Sequence, residues 1–195
     1  MTRVLPREGN NMLRGNIELW LATLTCILIG VGYGLVVFWT REIPAASEFF
    51  GHTLGIVGFV LMLLTETMYS IRKRSRSASF GRMSTWLKFH IYMGLVGPFM
   101  VLLHSSWKFN GLAGATTLLT AIIVISGFIG RYIFTRIPRT MDGLEIEGTL
   151  SQEALKRARQ LMSLWHTVHI PIGIALFISA FVHLGGALYY ATFLK

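Results

Sequence analysis

Apolar residues run through this chain in five long blocks, each about twenty residues or more, separated by short polar or strongly basic stretches. A run of that length is what an α-helix needs to cross the hydrocarbon core of a bilayer. The blocks predict an all-α protein, an integral membrane bundle of five transmembrane helices over about 17–39, 49–71, 86–107, 112–134 and 164–194. Residues 1–195 read as a single domain, with no linker and no low-complexity tract. The first block is too long, and follows too many mixed residues, to be a cleaved signal peptide. The third and fifth share an internal proline, Pro98 and Pro171, and hint at a repeated helical hairpin.

The polar stretches orient the bundle. Between the second and third blocks lies Arg72-Lys73-Arg74-Ser75-Arg76, followed by Arg82 and Lys88. Between the fourth and fifth come Arg131, Arg136, Arg139, Lys156, Arg157 and Arg159. The alternate connections carry only Arg41 and Lys108 as basic residues. Because cytoplasmic loops are enriched in Lys and Arg, the loops over about 72–85 and 135–163 are expected inside. The N-terminus is then cytoplasmic and the C-terminus outside. The second of these loops begins irregular and acidic (Asp142, Glu145, Glu147). Ser151 then caps a helix that leads through Glu153, Leu155 and Arg159 into the fifth span. The polar face of that lead-in suits solvent first, and lipid headgroups or a docking protein second.

Composition agrees with this picture and narrows it. The chain is 53% hydrophobic and 14% charged, outside the range of soluble domains. Its net charge of +9 would suggest a nucleic-acid partner, but the basic residues concentrate in the N-terminal segment and the inner loops. No nucleic acid is expected. Cys26 is the only cysteine, so no disulfide, zinc knuckle, iron–sulfur cluster or CxxCH haem attachment can be built. A redox centre would have to use histidine.

Histidine is where the chain is most specific. His90 and His104 are fourteen residues apart in the third span, and His169 and His183 are fourteen apart in the fifth. In a helix that interval is about 21 Å of rise and just under four turns, so both imidazoles of a pair share a face. The third and fifth spans run in the same direction. His90 and His169 therefore fall at the inner level, and His104 and His183 at the outer one. Two bis-histidine haems stacked across a membrane need this arrangement, and the expectation is two b haems held between the third and fifth helices. Gly94 and Gly97 lie on the face of His90, and Gly173 and Ala180 on that of His169. Small residues there would let a flat macrocycle approach, although they also serve ordinary helix packing in membranes.

The His-x13-His pair on each of two parallel helices resembles the haem-bearing core of the cytochrome b family. It equally resembles the ferric-reductase-like transmembrane domain of NADPH oxidases and of bacterial haem-binding membrane subunits. Trp165-His166-Thr167-Val168-His169-Ile170-Pro171, ending in His183, is similar to the last haem helix of the small bacterial members. Gly130-Arg131-Tyr132 with Arg136-Ile137-Pro138-Arg139 is similar to the close of the helix before it. The resemblance covers about residues 50 to 190. It implies axial pairs His90–His169 for the inner iron and His104–His183 for the outer, both six-coordinate, low-spin and suited to electron transfer. It also implies the cytoplasmic membrane of a bacterium and other redox subunits as partners: a c-type cytochrome, an iron–sulfur protein or a dehydrogenase. The chain has no GxGxxG, and no flavin or nicotinamide domain. It also lacks the quinone-site loop and second membrane domain of bc-type cytochromes.

Three function classes follow: an electron-transfer subunit, a quinol or metal-ion oxidoreductase subunit with its substrate at one haem edge, and a non-haem metal transporter or scaffold. Transport needs histidines converging on one site, which the fourteen-residue intervals disfavour. Quinone is a candidate second ligand, and Glu66, His166 and His52 are its candidate contacts. Glu66 is otherwise expected to reach the inner surface or to pair with Arg131. His52 is otherwise an interfacial residue, and His166, seventeen residues from His183 and so rotated about 100° from it, is not the preferred ligand. Lys88 and Arg131 are candidate counter-charges for haem propionates at the inner level, and Arg41 and Lys108 at the outer. Trp86, Trp107 and Trp165 are expected as interfacial anchors.

Overall fold

The computed structural model describes residues 16–74, 83–135 and 151–193. The acidic run from Asp142 to Glu147, together with Arg76, Arg82, Arg136 and Arg139, lies outside the described residues. Five helices follow in order: α1 (Ile17–Thr40), α2 (Phe49–Arg74), α3 (Met83–His104), α4 (Gly111–Thr135) and α5 (Gln152–Phe193). All five are long and apolar enough to cross a membrane. The protein is an all-helical integral membrane protein.

The helices turn their bulkiest apolar side chains outward. On α1, Leu24, Leu28, Val31 and Leu35 are all more than half exposed, the inverse of a soluble helix. Lipid is the solvent for these faces, so burial follows small and polar residues instead. Thr65, Thr116, Thr120 and Ser126 are all buried. Thr116 and Ser179 share a hydroxyl hydrogen bond of 2.6 Å that ties α4 to α5, and Thr25 and Tyr92 share one of 3.0 Å between α1 and α3.

Packing runs α2 on α3, α4 on α5 and α1 on α3, with a slighter contact of α3 with α4. Between α3 and α5 there is no extended contact among the described residues. The bundle closes on its other side through Phe59 of α2, whose ring meets Phe177 and Phe181 of α5 at 6.5 and 5.4 Å. The apolar core lies among α1, α2 and α3, built on Ala22, Tyr33, Leu54, Val96, Met100 and Leu103.

The α2–α3 crossing depends on two glycines. A Cβ on Gly58 would stand 2.9 Å from the Gly97 carbonyl oxygen, and one on Gly97 would stand 2.9 Å from Met62 Cγ. The two backbones are that close. Gly58→Val is therefore expected to cost about 1–3 kcal/mol by overpacking. Gly127→Ala, at a position where a Cβ meets nothing within 4 Å, should leave the thermal midpoint in detergent unchanged. Equal midpoints for the two variants would contradict the close crossing.

One boundary differs from the hydropathy expectation. α3 stops at His104 rather than near Trp107, because Ser106 and Trp107 turn to positive φ (50° and 61°) and leave the helix. The Ser106 hydroxyl there donates to the Pro44 carbonyl at 2.6 Å, tying the α3–α4 turn to the α1–α2 connection. The fifth span and its lead-in form one unbroken helix of 42 residues. Ser151 does cap it, accepting the Ala154 N–H through Oγ at 3.2 Å.

Candidate functional site: two levels of paired histidines

Each of the four paired histidines is half-buried on the bundle side of its helix. The fourteen-residue interval on α3 stands opposite the same interval on α5, with His90 in electrostatic reach of His169 and His104 in reach of His183. Among the described residues, no three His, Cys, Asp or Glu side chains converge where a bare metal ion would sit.

The neighbouring helices fix the rings. His104 Nδ1 is 2.8 Å from the Gly51 carbonyl of α2, and His90 Nδ1 is 3.2 Å from the Thr65 carbonyl on the same helix. A carbonyl oxygen only accepts, so in each ring Nδ1 carries the proton and donates it. The lone pair of the neutral imidazole is then on Nε2, the tautomer that a metal-binding histidine adopts when its other nitrogen is tied to a carbonyl. Gly55 makes room for one of these rings: a Cβ there would fall 2.7 Å from His104 Nδ1.

On the opposite side α4 takes the same part. His169 Nδ1 is 2.9 Å from the Ser126 hydroxyl, and the Trp165 indole N–H donates to the Ser126 carbonyl at 2.7 Å. The Trp165 ring stacks on His169 with centroids 4.6 Å apart and planes at 28°. Trp165 is thus packed inward against α4, where an interfacial anchor was expected. Gly130 is the reason: a Cβ there would lie 2.2 Å from the indole, so only glycine admits the ring. Gly130→Val is accordingly expected to expel Trp165, seen as a red-shifted tryptophan emission relative to the parent. An unchanged emission would argue against this packing.

The other candidate residues fall in separate places. Gly97 faces α2 across the close crossing, and a Cβ on Gly94 would touch Thr65 at 3.5 Å. Both therefore serve α2–α3 packing, the ordinary role of small residues in membrane helices, rather than lining a space between α3 and α5. Gly173 is more open, with only Ile123 near its Cβ direction at 3.9 Å. Lys88, His52, Arg41 and Lys108 are exposed. The Arg41 guanidinium lies over the Phe38 ring at 4.8 Å.

Arg131 and Glu66 do not pair as expected. The Arg131 guanidinium binds the Glu18 carboxylate and donates to Asn16 Oδ1 at 2.7 Å, joining the start of α1 to the last turns of α4. Glu66 is exposed on α2, accepts the Ser70 hydroxyl at 3.2 Å, and lies within electrostatic reach of His90. His166 is held by its own helix, its Nδ1 2.9 Å from the Met162 carbonyl.

Sequence reasoning missed Ser126, the Gly51 and Thr65 carbonyls, and Glu18. Ser126 stands in an apolar run with nothing local to mark it. Glu18 had a signal, as the one acid at the start of the first apolar block. No protein-family model, no curated protein and no solved structure matches this chain.

Proposed function

We propose that this protein is a dihaem membrane cytochrome b that carries electrons across the bilayer as the membrane subunit of a larger redox complex. The observation that carries the reading is the treatment of the imidazoles. They lie within electrostatic reach of each other in twos, and His90 and His104 have Nδ1 committed to backbone carbonyls, which would leave Nε2 to bind iron. His90 and His169 would hold the inner haem, and His104 and His183 the outer. The lack of extended α3–α5 contact suits a flat macrocycle between those helices. A bound haem b supplies a one-electron couple, and two imidazole ligands reserve it for electron transfer. The protein's own task is to fix ring planes and tautomers, so that little rearranges when charge arrives. The lipid-facing exterior keeps water from the path.

In this reading the basic inner loops place the N-terminus in the cytoplasm of a bacterium and the C-terminus outside. Partners would deliver and collect the electrons: a dehydrogenase or iron–sulfur protein on one side, a c-type cytochrome on the other. A quinol-oxidising subunit is the second reading, favoured by one observation, the exposed Glu66 carboxylate beside His90. It requires the purified protein to be reduced by a quinol, with Glu66→Gln slowing that reduction.

The test of the main reading is a pyridine haemochrome assay on purified protein produced with adequate haem. Two b haems per chain are expected. A well-folded preparation without haem would overturn the proposal.

A further inference from the structure

Three contacts converge on one side of His169, and no other paired histidine has their like among the described residues. Ser126 offers both of its oxygens, the hydroxyl to His169 Nδ1 and the carbonyl to the Trp165 indole. The indole in turn lies nearly flat on the imidazole, at 4.6 Å. Gly130, one turn along α4 from Ser126, clears the floor beneath the indole. The ring of His169 is thereby fixed in two independent ways. The hydrogen bond sets where Nδ1 points, and the stacked indole blocks rotation about the axis that would keep that bond.

We infer that Trp165 and Ser126 are positioning residues for His169, which set the plane and the donor strength of one imidazole at the inner level. The inference rests on the dihaem reading and deepens it. With iron on Nε2, Nδ1 is the donor and the Ser126 hydroxyl the acceptor, a bond that makes the imidazole more basic. A more basic ligand favours the ferric state, so this bond lowers the potential of the inner haem. Stacking does not change basicity in the same way. It restricts the ring's orientation, to which the low-spin ferric spectrum responds. The two residues therefore leave different marks, Ser126 on the potential and Trp165 on the spectrum.

The experiment compares the parent protein with Trp165→Leu, Trp165→Phe and Ser126→Ala by haem content, low-temperature electron paramagnetic resonance and optical redox titration. His104→Ala, which should hold only the inner haem, identifies the inner signal. Trp165→Leu is expected to shift or broaden the inner low-spin signal, or to lose that haem alone, with the outer signal unmoved. Trp165→Phe keeps a ring against the imidazole and should move the signal less. Ser126→Ala should raise the inner midpoint potential and leave the outer one in place. Should Trp165→Leu lose both haems through misfolding, Trp165→Phe and Ser126→Ala decide. Inner signal and potential unchanged in every variant that keeps two haems would overturn the inference while leaving the dihaem reading intact. A parent protein without haem would overturn both.

Discussion

Replacing His104 with alanine is expected to halve the haem content of the purified protein, from two b haems per chain to one. His104 ends α3, and its ring is held by the Gly51 carbonyl of the first turn of α2. In the dihaem reading alanine removes an iron ligand, and it also frees that carbonyl. It leaves the inner level untouched, since His90 is about 21 Å away along the same helix. Haemochrome quantification and the surviving optical spectrum would show the loss directly. His183→Ala should match it, whereas His90→Ala and His169→Ala should remove the other haem. Two haems retained after His104→Ala would exclude this residue as a ligand. Retention in His169→Ala with loss in His166→Ala would move the inner site to His166.

Glu18→Ala is expected to give the largest loss of stability of any single change at the end of the bundle where α1 begins. Glu18 is only 4% exposed and the Arg131 side chain 16%, so the substitution takes a carboxylate from a largely buried guanidinium. Removing one partner of a buried pair costs about 3–5 kcal/mol, because the remaining charge is left uncompensated. Asn16 stays as a hydrogen-bond partner and holds the expected cost near the lower figure. Thermal unfolding in detergent measures it. Combining Glu18→Ala with Arg131→Met should recover part of the loss, since the buried guanidinium is then gone. A midpoint within a degree of the parent for Glu18→Ala alone would show that the pair contributes little.

The helices were legible because lipid imposes a simple rule on sequence. The starts of α1 and α2 fall where the apolar blocks begin, and α4 matches its block to within a residue at each end. The Ser151 cap was legible too, being a local device. What failed was non-local. The end of α3 depends on Ser106 reaching Pro44, 62 residues away, and no window of hydropathy contains that contact. The partner of Arg131 lies 113 residues away in a segment where a single glutamate looked incidental. Glycines show the same limit. A small residue on a helix face announces that something comes close, and the sequence does not say what. Gly97 receives α2, and Gly130 receives an indole. The candidate site divides likewise. The histidine intervals alone predict which rings come near which, because helical rise converts residue number into depth. The oxygens that hold those rings come from α2 and α4, and only the packing of those helices reveals them.

The unbroken length of α5 has a mechanical consequence. A helix of 42 residues rises about 63 Å, roughly twice the thickness of a bilayer's hydrocarbon core. Its N-terminal end would therefore project as a stiff strut, joined without a break to the segment carrying Trp165 and His169. Pro171 follows at once, and proline is where such a rod bends. A push or twist applied to that end would reach the segment of His169 before that of His183.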